Sequence, residues 1–151
     1  MDYGAQIALA GLKIGAIKFS ISNPFEWASG YKMPTYNDNR MFLLYPKYRK
    51  LILDAFMDLV LKSEIKFDLV AGTSTAGISP GTSLADALEK PFIYIRDKPK
   101  SHGLRNQIEG IDADSDLKGK IVILIEDLIS TGGSSINAVE GGQEDKEELE
   151  I

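Results

Sequence analysis

Ile121-Val122-Ile123-Leu124-Ile125-Glu126-Asp127-Leu128-Ile129-Ser130-Thr131-Gly132-Gly133-Ser134 is the stretch whose reading decides the fold. The apolar run predicts a buried strand, the two carboxylates close it, and the hydroxyl- and glycine-rich turn leads into a helix start at Ser134. This order suits a sugar phosphate. Carboxylates accept hydrogen bonds from ribose hydroxyls, while a glycine-rich turn at a helix N-terminus offers backbone N–H groups to a phosphate. A second glycine-rich stretch, Gly72-Thr73-Ser74-Thr75-Ala76-Gly77-Ile78-Ser79, has the glycine spacing of a P-loop but carries Ile78 where the phosphate-binding lysine is required, which argues against a nucleoside triphosphatase.

Outward from these motifs the chain reads as alternating strands and helices. Residues 4–17 are rich in Ala, Leu and Ile and suggest a first helix. After Pro46, the residues Tyr48, Leu51, Ile52, Ala55, Phe56, Leu59 and Val60 recur at helical spacing. Strands are predicted at 67–71, 92–95 and 120–125, with a helix at 76–88 between the first two. Such alternation predicts an α/β fold with a parallel sheet covered on both faces, and in such sheets ligands sit beyond the carboxyl ends of the strands. Asp97 to Gly110 is a long polar connection without apolar periodicity, the pattern of a functional lid or a disordered segment. Gly141-Gly142 is expected to stop the last helix within about two turns, ahead of an acidic tail.

Composition bounds the function. The chain has 151 residues, 44% hydrophobic and 26% charged, as expected of one soluble globular domain. Its formal net charge is −5, but Glu144, Asp145, Glu147, Glu148 and Glu150 against Lys146 place most of that at the end of the chain. The body is close to neutral and offers no basic field for nucleic acid. Without cysteine, disulfides and thiol chemistry are excluded, and no apolar run approaches the ~20 residues that span a bilayer. The expectation is a soluble, cytoplasmic protein.

Five segments together resemble the orotate phosphoribosyltransferases, a branch of the type I phosphoribosyltransferases: Trp27-Ala28-Ser29-Gly30, the run from Pro34 to Arg40, the run from Asp68 to Ile78, Lys98-Pro99-Lys100-Ser101-His102-Gly103, and Glu126 to Ser134. The acidic pair with its Ser-Thr-Gly-Gly loop is shared by the whole class; the Lys-x-His-Gly and Ser-Gly segments point to the orotate branch. The resemblance implies a Rossmann-like parallel sheet with a small N-terminal hood and a mobile lid loop, a domain over 1–140, and 141–151 as an acidic tail.

It also implies transfer of the phosphoribosyl group from phosphoribosyl pyrophosphate to orotate, giving orotidine 5′-monophosphate and pyrophosphate in pyrimidine biosynthesis. Magnesium would be held mainly by substrate and water, and the enzyme would be a homodimer whose lid is shared between subunits. Lys100, His102 and Asp127 are the implied catalytic residues. Arg96 and Lys98, Glu126 and Asp127, Ser130, Thr131, Gly132, Gly133 and Ser134, and the turn Thr75, Ala76 and Gly77 are the implied substrate contacts. For Trp27 and Tyr36 core or rim packing is the preferred reading, with lining of the base pocket as the alternative, and Arg40 is open between an ion pair and a ligand contact. A non-catalytic phosphoribosyl pyrophosphate-binding module and a purine phosphoribosyltransferase are the alternatives.

The chain departs from the family pattern at Ala28 and Asp97, where basic residues are usual, and after the phosphate loop, where a fuller helix and further strands are usual. Loss of those elements is expected to bare a sheet edge and to remove apolar burial of about 1.5–3 kcal/mol per side chain.

Overall fold

The computed structural model describes residues 2–27, 29–96, 107–112, 115, 117–145 and 149–151, with the side chains of residues 144 and 145 left aside. They form two compact units, Met1–Asp58 and Leu59–Ile151.

The N-terminal unit opens with helix α1 (Tyr3–Ile14), capped by the Asp2 carboxylate, which accepts from the Ala5 N–H at 3.0 Å. Four short strands follow, β1 (Ile17–Phe19), β2 (Phe25–Glu26), β3 (Lys32–Met33) and β4 (Thr35–Asn37). They pair antiparallel as β1–β4 and β2–β3. At two or three residues each, they are too short to show a strand period in the sequence. A 3-10 turn over Asn39–Leu44 places Phe42 against Ala10 and Ala16, with Ile7, Ile14, Met41, Tyr48 and Ile52 packed around that core. Helix α2 (Pro46–Ser63) starts at Pro46, where a missing N–H costs nothing.

The C-terminal unit is a four-stranded sheet of order β7-β6-β5-β8, built from β5 (Leu69–Thr73), β6 (Phe92–Ile95), β7 (Ile108–Glu109) and β8 (Val122–Ile125). β5 pairs parallel with β6 and β8; β7 pairs antiparallel with β6. The first strand is shifted from the expected 67–71 to 69–73, so the glycine-rich stretch begins inside the sheet. Helix α3 (Ile78–Leu88) covers the face that carries Val70, Gly72 and Phe92: a Cβ on Gly81 would lie 2.8 Å from the Phe92 ring. Helix α4 (Gly133–Asp145) covers the other face, where Ala138 packs with Leu69, Ala71, Ile93, Ile95, Ile108 and Val122. The expected parallel sheet with both faces covered is therefore present.

Two expectations about the end of the chain are corrected. α4 does not stop at Gly141-Gly142 but runs through both to Asp145. A Cβ on Gly141 would collide with the Gln107 amide, and one on Gly142 would lie 2.6 Å from Ile151 Cδ1 and 3.1 Å from Ile95 Cδ1. The glycines thus serve close packing, which offsets the roughly 1 kcal/mol that each costs a helix relative to alanine. Nor are residues 141–151 simply a solvated acidic tail beside a bare edge. Gly141–Asp145 complete α4, and Leu149, 2% exposed, joins the sheet core. Glu150 pairs along the β8 edge, accepting from the Val122 N–H at 2.7 Å and donating to the Lys120 carbonyl at 3.1 Å.

Asp68, just before β5, ties the start of β5 to the start of β8. Its carboxylate accepts from the Ile121 N–H at 2.9 Å and from Lys120 Nζ at 3.3 Å. The backbone hydrogen bond, followed by the lysine contact, holds its pKa below the ordinary value. A depressed carboxyl stabilises the fold above its unfolded-state pKa, and that contribution is lost as pH falls through the folded value. Asp68→Asn is therefore expected to lower the urea midpoint at neutral pH, with the difference from the parent closing as the solution is acidified through that range.

Candidate functional site

Three parallel strands end together at one edge of the C-terminal unit. Thr73 closes β5 opposite Ile95 of β6, and Ile125 closes β8 opposite Gly72. The residues that follow, Ser74 to Gly77, Arg96, and Glu126 to Ser134, are therefore brought to one side of the sheet, as expected for an α/β site.

The β8 turn delivers the acidic pair half-buried, then an exposed loop through Ser130 and Thr131. Gly132 has φ +82, a left-handed conformation that other residues adopt only with strain, and its carbonyl accepts from the Ile136 N–H at 2.9 Å. It thereby caps α4, whose first-turn N–H groups at Gly133 and Ser134 have no intrahelical acceptor and face the positive end of the helix dipole. An anion at Ser130 to Ser134 meets donors without any lysine.

Glu126 is held more tightly than its motif implies. Oε1 accepts from the Thr73 hydroxyl at 2.7 Å and from the Asp127 N–H at 3.1 Å, and Oε2 lies 3.5 Å from the Ser135 hydroxyl. The signal for this tie, a threonine ending one strand beside a glutamate ending its neighbour, depends on strand order and is not local in sequence.

In the β5–α3 turn Thr75 is exposed, Ala76 half-buried and Gly77 buried. The Ser74–Thr75 peptide is cis. A Cβ on Gly77 would run into the Ile125 carbonyl oxygen and lie 2.6 Å from Thr73 Oγ1, so Gly77 is what lets this turn close onto the end of β8. Ile78 opens α3, where a P-loop would continue from its lysine, in keeping with the absence of that motif.

Arg96 follows β6. Its N–H donates to the Gln107 carbonyl at 2.9 Å, the Gln107 amide returns a bond to the Arg96 carbonyl at 2.8 Å, and its guanidinium lies 3.9 Å from Glu109. Arg96 Nε is buried without an acceptor among the described residues. Lys98, Lys100 and His102, together with Asp97 and Ala28, lie outside the described residues. Among the described residues, no cluster of three His, Cys, Asp or Glu side chains could hold a metal, and no helix is long and apolar enough to cross a membrane.

Two further residues are accounted for by packing within the N-terminal unit. Trp27 Nε1 donates to the Thr35 carbonyl at 2.8 Å, and the Phe25 and Tyr36 rings lie 5.5 Å apart. Arg40 is in an ion pair: its Nε and Nη2 reach Asp38 at 2.7 and 2.9 Å, and this side-chain bond is the main reason the Asp38 pKa lies below its ordinary value.

Comparison with known proteins agrees with this geometry. The family profile of the phosphoribosyl transferase domain matches residues 43–142. The orotate phosphoribosyltransferase of Cytophaga hutchinsonii is 46% identical over 144 residues, covering 95% of this chain and 67% of that protein. The orotate phosphoribosyltransferase of Lactococcus lactis subsp. cremoris is 48% identical over 139 residues, covering 92% and 65%. The crystal structure of orotate phosphoribosyltransferase from Aeropyrum pernix superposes with a TM-score of 0.76 at 27% identity, covering 95% of this chain and 76% of that one. The chain spans about two thirds of the length of the curated relatives it matches. With a parallel sheet ending in an acidic pair and a glycine-rich turn at the start of a helix, and with these relatives, the chain belongs to the phosphoribosyltransferase domain family and, within it, to the orotate phosphoribosyltransferases.

Proposed function

We propose that this chain transfers the phosphoribosyl group of phosphoribosyl pyrophosphate to orotate, giving orotidine 5′-monophosphate and pyrophosphate in pyrimidine biosynthesis. The observation that carries this reading is the end of β8, where the acidic pair leads into a glycine-rich turn at the start of α4 and Ile125 abuts Gly77 of the β5–α3 turn. The 5′-phosphate takes the loop from Ser130 to Ser134, the ribose hydroxyls face Glu126 and Asp127, and the pyrophosphate lies toward Thr75, Ala76 and Gly77. Orotate as the base is supported by the names of the curated relatives.

As the bond from the anomeric carbon to pyrophosphate lengthens, the ribose gains oxocarbenium character, and a carboxylate fixed beside the sugar stabilises that developing cation. The departing pyrophosphate carries several negative charges. Arg96 and Lys98 are assigned to bind it, and Lys100 and His102 to stabilise it as it leaves. Magnesium would be held mainly by pyrophosphate oxygens and water. When bound, magnesium spreads the charge of the leaving group. A homodimer that shares its lid loop between subunits, and a cytoplasmic location, complete the proposal.

The test is a spectrophotometric assay of orotate consumption with phosphoribosyl pyrophosphate and magnesium. Orotate loss with release of pyrophosphate is the expected result; a folded sample that leaves orotate untouched, or that consumes hypoxanthine instead, overturns the assignment. In an active sample, Lys100→Ala is expected to lower kcat by about 10²-fold, the scale of one preorganised charge contact, with little change in the thermal midpoint.

A further inference from the structure

We infer that Thr73 is a positioning residue for the sugar-phosphate site: its buried hydroxyl orients Glu126 so that one carboxylate oxygen is committed to the protein and the other is presented to the ribose. This inference deepens the functional reading above and rests on it for the identity of the ligand.

The placement follows from the sheet. Gly72 pairs with Ile125, so Thr73 and Glu126 stand side by side one step further along adjacent parallel strands. Alternation along a strand puts them on the same face as Ala71 and Leu124, the face that α4 covers. The first turn of α4 therefore carries Ser135 to within 3.5 Å of Glu126 Oε2.

Thr73 is 4% exposed, so its hydroxyl is within the protein rather than at the surface where a substrate would bind. It has one proton to donate and two nearby acceptors, Glu126 Oε1 at 2.7 Å and the Ile125 carbonyl at 3.4 Å. The shorter contact has the length of a charge-assisted O–H···O⁻ bond, and the other is at the limit of a bond at all. Oε1 also takes the Asp127 N–H at 3.1 Å. It is thus occupied on two sides, and the same bonds set the direction in which the chain leaves toward Asp127. Among the described residues Oε2 has only the long Ser135 contact, and it retains acceptor capacity for a sugar hydroxyl. Gly77 leaves the hydroxyl its space, since a Cβ there would lie 2.6 Å from Thr73 Oγ1.

The test compares Thr73→Val, which keeps the β-branched shape and removes the hydroxyl, with Thr73→Ser, which keeps the hydroxyl. The primary readout is calorimetric affinity for ribose 5-phosphate, which needs neither orotate nor turnover; thermal midpoints are measured in parallel. Thr73→Val is expected to bind about tenfold more weakly and Thr73→Ser to stay within about threefold of the parent, as for loss and retention of one hydrogen bond to a charged group. In an active sample the same order is expected in kcat/KM for phosphoribosyl pyrophosphate, with the KM for orotate nearly unchanged. Equal affinity of parent and Thr73→Val overturns the inference, as does an equal loss of affinity in Thr73→Val and Thr73→Ser. A parent that does not bind ribose 5-phosphate overturns it too. A parent that binds ribose 5-phosphate but leaves orotate untouched defeats the orotate assignment alone, and the two variants still decide the role of Thr73.

Discussion

Gly77→Ala is expected to lower the urea midpoint of unfolding sharply, by about 3 kcal/mol or more in stability, the upper range for overpacking a well-filled interior. Backbone conformation is not the obstacle, because Gly77 sits at φ −72 and ψ −17, where alanine is comfortable. Space is the obstacle. The added methyl would overlap the Ile125 carbonyl oxygen and approach Thr73 N to 2.7 Å, and both are backbone atoms held by parallel pairing to neighbouring strands. No rotamer change relieves that, so the ends of β5 and β8 must move apart. Against a total stability of about 5–15 kcal/mol for an ordinary domain, much of the variant is expected to be insoluble on expression. Gly4→Ala is the control. A Cβ there would meet only Asp2 Oδ1 at an ordinary 3.5 Å, and helix propensity favours alanine by up to about 1 kcal/mol. A midpoint for Gly77→Ala equal to that of the parent would show that the two strand ends are not held as closely as described.

Asp127→Asn is expected to act on function rather than on folding, with kcat/KM for phosphoribosyl pyrophosphate falling about 10³-fold while the urea midpoint shifts little. Asparagine keeps the volume and one acceptor oxygen but removes the charge that the proposal sets against the developing sugar cation. Asp127 is half-buried at the mouth of the turn, beside Glu126, whose Oε1 is bonded to Thr73, and the proposal sets the Asp127 charge against the developing sugar cation. Steady-state kinetics on parent and variant at saturating orotate decide the matter, and unchanged kcat/KM in a well-folded variant would remove Asp127 from the reaction.

Much of this site is legible in the residues alone. Ile121 to Ser134 carries its own strand, stop, turn and helix start, each signalled by residues a few positions apart. Phe92 to Ile95 forms a strand as expected, and Pro46 starts α2 as expected. Local signals also misled. Gly141-Gly142 reads as a helix end because glycine is a poor helix former, yet the helix continues because Gln107 and Ile151 occupy the space beside those residues. The four short strands of the N-terminal unit left no period to read.

What the amino-acid sequence by itself determined was the local architecture: a parallel α/β sheet whose last described strand runs out into paired acids and a glycine-rich turn at a helix start. Tertiary structure alone decided which side chain holds Glu126, since Thr73 and Glu126 are 53 positions apart and meet only because β5 pairs with β8. It likewise decided that Leu149 returns from an acidic segment to the sheet core. The physical reason is range: propensity, capping and turn chemistry act over a few residues, whereas a buried hydroxyl chooses its acceptor by which strand ends the packed core sets side by side.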